Sequence, residues 1–277
     1  MIICKVIAIS NQKGGVVKTT TTLSLGVALF KLGKKVLLID VDLQGDLTIC
    51  MGYYEQEMNK NSNNKMKTIA TMIGSYINNI PLDMNDVILN HEENIDLIPS
   101  NLDLSAMELP ILNAFNREAI LKNCLENIKE NYDYILIDCM SSLGMITINA
   151  LSASDKIIVP VQSQYLSLKS VSQLLDSVSR IQKHINPNLE VGGLLLTMYD
   201  NRINLSQQIK DTVKNEYGKI INVYKNTIPV GIKVAKSTAS GKSFFSYDKN
   251  SKVADAYYRF AKEVDMIGKE KRKKILQ

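Results

Sequence analysis

The fold of this chain is predicted from one segment, Ser10-Asn11-Gln12-Lys13-Gly14-Gly15-Val16-Val17-Lys18-Thr19-Thr20-Thr21-Thr22. The segment follows a short apolar run, Val6 to Ile9, whose β-branched residues are typical of a buried parallel strand. It leads into Leu23 to Leu32, where the apolar residues have helical spacing. A strand, a Gly-rich turn and a helix in this order indicate a phosphate-binding loop, because backbone N–H groups and the positive end of the helix dipole then face one anion.

Individual residues of this loop predict how a nucleotide is held. The side chain of Lys18 can reach the outer phosphates, and the hydroxyl of Thr19 can ligate Mg²⁺. The other loop residues offer backbone N–H groups to the phosphates. The predicted nucleotide-binding residues of the loop are Gly14, Gly15, Val16, Val17, Lys18, Thr19 and Thr20.

A second lysine, Lys13, stands five residues before Lys18. With it, the loop resembles the deviant Walker A motif, KGG-x-GK-T-T, of the ParA/MinD family of P-loop ATPases. In that family the earlier lysine reaches across a nucleotide-sandwich dimer to the phosphates bound by the partner. The resemblance therefore implies that ATP assembles a homodimer, and that Lys13 and Lys18 are catalytic residues.

One position of the loop departs from the family pattern. The family has glycine immediately before the P-loop lysine, and this chain has Val17. Glycine serves where the backbone needs a positive φ, and a β-branched residue there is an outlier that costs roughly 1–3 kcal/mol. Either the loop carries this strain or it takes another shape, and both alternatives predict altered binding and hydrolysis of ATP.

The composition is that of an ordinary soluble globular protein. The chain has 277 residues, 45% hydrophobic and 22% charged, which suffices for one doubly wound domain. No apolar run approaches the roughly 18 residues that indicate a membrane span, and too few residues precede the first strand for a signal peptide. We therefore expect a cytoplasmic protein without a membrane partner.

Cysteine spacing and net charge bear on two further kinds of site. The chain has only two histidines, and its four cysteines lie far apart without a CxxC pair, which predicts buried free thiols rather than a zinc site or disulfides. Of the net charge of +5, +4 lies in residues 269–274. Because the rest of the chain is nearly neutral, any nucleic-acid surface must be a local basic patch. The cysteines are Cys4, Cys50, Cys124 and Cys139.

Acidic residues follow two predicted buried strands. The run 35–39 delivers Asp40 and Asp42 to the ligand side of a doubly wound sheet. Residues 40–48 resemble the family's D-x-D-P-Q-G-N-x-T stretch, with Leu43 in place of proline and Asp46 in place of asparagine. The resemblance makes Asp42 a catalytic residue that orients water and the Mg²⁺ shell.

The run 132–138 ends in Asp138, which is the Walker B pattern, and a carboxylate there can hold the Mg²⁺ shell. Residues 139–151 resemble the family's switch II segment, with Met140 and Ser141 replacing two prolines. The loss of both prolines predicts a more mobile switch. The predicted metal site therefore consists of Thr19, Asp42 and Asp138.

The remaining pattern predicts the fold class, an α/β P-loop NTPase with a doubly wound, mostly parallel sheet and helices on both faces. Further strands are predicted at 95–99, 156–160, 193–197 and 226–229, and helices at 118–129, 169–184 and 253–267. A single domain is predicted for residues 1–267, followed by a basic tail at 268–277, with a polar surface loop at 53–66. By resemblance, the nucleotide also contacts Met198, Pro229 and Gly231.

Basic side chains in loops after the sheet occupy positions where ParA relatives carry a non-specific DNA-binding surface. The resemblance implies a ParA/Soj-like ATPase that segregates DNA on the nucleoid and is stimulated by a ParB/Spo0J-like centromere-binding protein. Each basic residue alone is more typical of ordinary solvated surface, and it is the group together with the resemblance that favours DNA binding. The predicted DNA-binding residues are Arg202, Lys233, Lys236, Lys242 and Lys252.

Two other functions stay open at this stage. Val17 is compatible with a nucleotide-binding or DNA-binding module that does not hydrolyse ATP. A membrane-positioning ATPase like MinD is disfavoured, because the tail offers only Ile275 and Leu276 as apolar residues and no aromatic residue, which is too little area for insertion.

Overall fold

The computed structural model describes residues 4–54, 66–163, 167–231, 243–248 and 251–275, of which 167–168 and 268–275 are described by their backbone alone. Seven strands form one sheet in these residues. The strands are β1 Lys5–Ile9, β2 Val36–Val41, β3 Leu89–Asn90, β4 Asp96–Ile98, β5 Tyr134–Cys139, β6 Lys156–Gln162 and β7 Glu190–Thr197.

Helices fill most of the connections between these strands. They are α1 Lys18–Lys31, α2 Asp46–Cys50, α3 Ile69–Ile77, α4 Glu108–Asn113, α5 Ile120–Leu125, α6 Met145–Ala153, α7 Ser167–His184, α8 Asn204–Tyr217, α9 Phe244–Tyr247 and α10 Lys252–Ile275. Short 3-10 turns lie at Met84–Asp86, Leu102–Met107 and Lys129–Asn131.

The sheet has the order β3-β4-β2-β5-β1-β6-β7. Every pairing is parallel except that between β3 and β4, so the predicted doubly wound, mostly parallel sheet is confirmed. Strand β1 lies between β5 and β6, which puts the loop that follows it at the middle of the carboxyl edge. That edge is where open α/β sheets bind their ligands.

Alternate residues of each central strand pack on opposite faces of the sheet, as the period of two requires. Val6 and Ala8 pack in one hydrophobic cluster with residues of α3 to α8. Ile7 and Ile9 pack in the other, with residues of α1, α2, α9 and α10. The helix α1 lies very close to β2, because a Cβ built on Gly26 would stand 2.7 Å from a methyl carbon of Leu38.

Two predicted helices have different ends in the structure. The helix predicted at 118–129 is shorter, since α5 covers only Ile120–Leu125 and a 3-10 turn follows; asparagines at 123 and 127 favour non-helical local hydrogen bonds. The helix predicted at 253–267 continues as α10 to Ile275. Gly268 does not end it, because the Lys, Glu and Arg residues that follow are strong helix formers. The basic residues predicted as a separate tail are therefore helical up to Ile275.

Two further predictions are corrected. The segment predicted as a strand at 226–229 is not a strand: the amide of Ile228 donates to the carbonyl of Leu196 in β7 at 2.8 Å, and Pro229 forms an isolated bridge with Tyr199. A proline has no N–H with which to continue a ladder. All four cysteines are free, but only Cys139 is buried and the other three are partly exposed. The loop predicted at 53–66 lies outside the described residues from 55 to 65.

Residues described by the structure include no helix that is long and apolar enough to cross a membrane.

Candidate active site

The carboxyl ends of β1, β2 and β5 come together at the centre of the sheet. Asp138 of β5 is in register with Ile9 of β1 on one side and with Asp40 of β2 on the other. The loop 10–17 leaves β1 at this point and enters α1 at Lys18. The phosphate-binding loop and both predicted acidic strand ends are therefore neighbours.

Two residues of the loop, Gly15 and Val17, have positive φ angles. Gly15 has φ +74°, and a Cβ built on it would meet nothing within 4 Å. Val17 precedes the helix with φ 60° and ψ 40°, in the left-handed region, and its carbonyl accepts from the amide of Thr21 at 2.9 Å. Of the two alternatives for Val17, the structure therefore has the strained loop, since a β-branched residue at this φ is an outlier.

Lys18 points into the protein and is only 8% exposed. Its Nζ donates a hydrogen bond to Oγ of Ser141 at 2.7 Å. Burial lowers the pKa of the Lys18 ammonium, and the carboxylate of Asp138 opposes that shift. The ammonium is thus a desolvated positive charge beside an acidic strand end, where its attraction for a further anion is little screened by water.

Asp138 is fully buried, and one of its oxygens has no hydrogen-bond partner among the described atoms. Its Oδ1 accepts from the hydroxyl of Thr22 at 3.2 Å, whereas Oδ2 is buried and unpartnered. Burial raises the pKa of Asp138 well above its usual value, the carboxylate of Asp40 adds to this rise, and the nearby Thr19 side chain opposes it. Such an oxygen is suited to a cation, which would favour the ionised form.

The two acids at the carboxyl end of β2, Asp40 in the strand and Asp42 just after it, have different surroundings. Asp40 is completely buried; its Oδ1 accepts from the amide of Asp42 at 3.0 Å, and its Oδ2 accepts from the amide and hydroxyl of Thr48 at 2.9 and 2.8 Å. Burial raises the pKa of Asp40 to about 7. Asp42 is half-buried, and its Oδ1 accepts from the amide of Gln44 at 3.1 Å. Asp40 thus fixes the turn that presents Asp42.

The donor set fits Mg²⁺ bound together with a nucleotide. The described residues contain no cluster of three or more His, Cys, Asp and Glu side chains that could hold a metal ion alone. Mg²⁺ does not require one, because it keeps several waters and is usually bound by one or two carboxylates plus substrate phosphates. The unpartnered oxygen of Asp138 and the adjacent hydroxyl of Thr19 supply what the protein must contribute.

Lys13 lies in its own chain's site. Its Nζ donates to Oε1 of Gln162, at the end of β6, at 3.2 Å. Gln162 in turn contacts Sδ of Met198 through its Nε2 at 2.9 Å. The hydroxyl of Thr197 donates to the carbonyl of Val16 at 3.3 Å, so the end of β7 lies against the phosphate-binding loop.

The residues predicted to contact the rest of the nucleotide also come together. Met198 has φ 50° and is 36% exposed at the end of β7. The amide of the next residue, Tyr199, donates to the carbonyl of Ile228 at 2.9 Å, and Tyr199 forms a bridge with Pro229. Gly231 lies two residues after Pro229 and is half-buried. The structure therefore brings Met198 and Pro229 to one end of the sheet.

The predicted DNA-binding residues are only partly described. Arg202 is 85% exposed in its side chain, and its guanidinium holds both carboxylate oxygens of Asp200, at 2.9 and 2.7 Å. These bonds lower the pKa of Asp200 to about 2. Lys252 is exposed at the first residue of α10. The other three, Lys233, Lys236 and Lys242, lie outside the described residues.

Sequence reasoning missed three side chains of this site. The sequence marks Ser141 as a replacement for proline but gives no sign that it contacts Lys18, and it gives no sign of a role for Gln162. Asp46 was noted only as a substitution, yet burial and the carboxylate of Asp42 raise its pKa. Asp40 can be recognised from the sequence because it is an acid at the end of an otherwise apolar strand. Gln162 has no comparable feature in the sequence.

Known proteins resemble the chain over nearly its whole length. The model of the AAA domain family matches residues 4–191. The sporulation initiation inhibitor protein Soj of Bacillus subtilis is 41% identical over 268 residues, covering 95% of this chain and 99% of Soj. The chromosome partitioning protein ParA of Caulobacter vibrioides is 35% identical over 262 residues, covering 94% and 93%.

Solved structures agree with these relatives. A cobyrinic acid a,c-diamide synthase from Mycobacterium smegmatis, with bound ADP and magnesium, is 32% identical, with a TM-score of 0.75 and coverage of 94% of this chain and 93% of that one. A putative plasmid partition protein from Borrelia burgdorferi, bound to AMPPNP, is 25% identical, with a TM-score of 0.73 and coverage of 96% and 99%. These solved structures share the α/β fold described above, and the chain belongs to the AAA domain family and, by its relatives, to the ParA/Soj group of P-loop ATPases.

Proposed function

We propose that this chain is an ATP hydrolase that segregates DNA, with ATP and Mg²⁺ as its cofactors. The observation that supports it most strongly is the juxtaposition of the buried ammonium of Lys18 with the unpartnered Oδ2 of Asp138. A desolvated cation and an available carboxylate oxygen beside a Gly-rich loop match the needs of phosphoryl transfer, which are positioning and neutralisation of charge. Relatives named for chromosome and plasmid partition support the cellular role.

The proposed roles combine the positions of the chain's own residues with the resemblance to the ParA/MinD family. Lys18 holds the outer phosphates, Thr19 and Asp138 hold the Mg²⁺ shell, and Asp42 orients the attacking water. When bound, the Mg²⁺-nucleotide supplies the phosphate that is transferred to water. Lys13 donates to Gln162 within its own chain, so to reach a partner's phosphates it must exchange Gln162 for them. In this proposal, ATP assembles a homodimer with the deviant Walker A arrangement.

Sedimentation velocity with ATP and Mg²⁺, compared with ADP and Mg²⁺, tests this function. We expect ATP to convert the protein from monomer to dimer and ADP to leave it monomeric, with hydrolysis measured by phosphate release in the same buffer. A centromere-binding protein of the ParB/Spo0J kind is the proposed stimulator of hydrolysis. A protein that stays monomeric and releases no phosphate at saturating ATP contradicts the proposal.

Non-specific binding of DNA, and hence association with the nucleoid, is a separate part of this proposal. Contacts between lysine or arginine and DNA phosphates ignore sequence and weaken steeply with salt. Arg202 is exposed, but Asp200 occupies its guanidinium. A phosphate must therefore compete with that carboxylate, which reduces what Arg202 contributes.

Substitutions of Arg202 and Asp200 are expected to change DNA affinity in opposite directions. We expect Arg202→Ala to weaken binding to random duplex DNA and to reduce the salt dependence by about one phosphate contact. Asp200→Ala should instead tighten binding at low salt, because it releases the guanidinium. Fluorescence anisotropy over a range of salt concentrations measures both, and Lys233→Ala should resemble Arg202→Ala.

Arg117→Ala is the matched control, because Arg117 is also exposed and paired with a neighbouring carboxylate, that of Glu118, but is not in the predicted DNA-binding set. It should leave DNA binding unchanged, and all variants should bind ATP like the parent protein. Equal DNA affinities for Arg202→Ala and Asp200→Ala would mean that this pair is ordinary surface.

A further inference from the structure

Ser141 lies in the segment that connects β5 to α6, and neighbouring contacts fix this segment in place. Met140 is only 6% exposed. The hydroxyl of Thr147, in the first turn of α6, donates to the carbonyl of Ser142 at 2.7 Å. Ser141 is therefore held between a buried residue and a backbone group that is anchored to a helix.

The Ser141 hydroxyl lies against the phosphate-binding loop. Its Oγ is 2.7 Å from Nζ of Lys18 and 3.9 Å from the place where a Cβ on Gly14 would stand. Both Gly14 and Lys18 belong to the loop that faces the phosphates. The hydroxyl thus lies against the lysine that reaches the outer phosphates and near the exposed backbone of the loop.

The direction of the bond to Lys18 leaves the serine with a proton to donate. An ammonium has only donors, so Ser141 accepts this hydrogen bond through a lone pair, and its own O–H is still a donor. Anything that Lys18 binds as an anion brings acceptor oxygens to the same place. A hydroxyl donor that shares an anion with a lysine makes a charge-assisted hydrogen bond, which is stronger than a neutral one.

The neighbouring serine does not have this position. The hydroxyl of Ser142 is directed to Sδ of Met140 at 2.8 Å, and its residue is exposed. A proline at position 141, as in the family pattern, has no side-chain donor. The donor is therefore specific to residue 141 of this chain.

We propose that the Ser141 hydroxyl donates a hydrogen bond to the outermost phosphate of ATP and so discriminates ATP from ADP. This inference rests on the proposed function, because it requires that the loop binds ATP. It adds to the loop a contact from the segment after β5 that only a nucleotide with a third phosphate can accept.

Calorimetric titration of the full chain with ATP and with ADP, both with Mg²⁺, tests the proposal. We expect Ser141→Ala to weaken ATP binding about tenfold, the contribution of a hydrogen bond to a charged group, and to change ADP binding by less than about twofold. Ser141→Thr keeps a hydroxyl and should retain the parent preference for ATP. Ser141→Pro should lose it as alanine does.

Ser142→Ala is the matched control, since it removes a hydroxyl one residue away that does not contact Lys18. It should leave the ATP-to-ADP affinity ratio unchanged. Equal losses for both nucleotides in Ser141→Ala, or an unchanged ratio, overturn the inference while leaving the proposed function in place. A parent protein that binds neither nucleotide overturns both.

Discussion

Replacing Lys18 by alanine is expected to abolish the ATP-dependent dimer and to weaken ATP binding by about 30-fold or more. The buried ammonium is the point charge for the outer phosphates, and removing one partner of a buried, hydrogen-bonded charge pair costs about 2 kcal/mol or more. The loss also leaves Asp138 without the positive charge that now favours its ionised form. Calorimetry and sedimentation velocity with ATP and Mg²⁺ measure the two effects.

Lys31→Ala is the matched control for this variant. Lys31 is the last residue of the same helix, is exposed, and has its ammonium 5.6 Å from the centre of the Phe245 ring. The substitution is chemically identical and leaves the phosphate-binding end of the helix untouched. Both variants should keep the circular dichroism of the parent protein. An unchanged ATP-dependent dimer in a folded Lys18→Ala protein would show that Lys18 does not bind the nucleotide.

Replacing Val17 by glycine is expected to relieve strain in the loop and to tighten ATP binding by at most about 150-fold. The residue has φ 60° and ψ 40°, which costs a side chain with a branched Cβ roughly 1–3 kcal/mol, and 1.4 kcal/mol corresponds to one decade of affinity. Strain that is equal in the free and the ATP-bound protein acts on stability, so the affinity gains only from strain and crowding of the phosphates that arise on binding. The part that acts on stability should raise the free energy of unfolding without nucleotide, and with it the midpoint of thermal unfolding. This gain in free energy is smaller by about 0.5–1 kcal/mol because of the entropy of glycine.

Val17→Ala separates backbone strain from crowding of the phosphates. Alanine keeps a Cβ and so retains about 1–2 kcal/mol of the cost of the left-handed conformation, but it removes the branch. If glycine acts mainly through the backbone, alanine should produce a small part of the glycine effect. Glycine and valine proteins that are equal in both unfolding midpoint and ATP affinity would show that the loop carries no strain.

The same variants decide between hydrolysis and simple binding. If Val17 reduces turnover, Val17→Gly should raise the rate of phosphate release at saturating ATP. Adding Asp42→Ala to Val17→Gly should remove this gain but spare ATP binding, because Asp42 is proposed to orient water rather than to hold phosphates. The parent protein could bind ATP and form the dimer but release no phosphate until Val17 is replaced. In that case it is a nucleotide-binding module, and Val17 alone prevents hydrolysis.

Local pattern was sufficient for much of the site. Hydrophobic spacing and a Gly-rich turn are properties of neighbouring residues, and they predict the strand before the loop, the helix after it, and the acids at the carboxyl ends of β2 and β5. The positive φ of Val17 was recognised as one of two alternatives for the same reason. Helix ends were predicted less well, because Gly268 counts against a helix locally but is outweighed by the strong helix formers around it.

The sequence by itself thus determined which residues could bind phosphate and metal, and that they follow strands of one parallel sheet. Tertiary structure decided which of them touch. Lys18 and Ser141 are 123 positions apart, and Lys13 and Gln162 are 149 apart; Asp40 and Asp138 meet because β2 and β5 are adjacent in the sheet. Strand order is set by the packing of the whole core and leaves no periodic trace in a short segment, so these contacts become visible only in the folded chain.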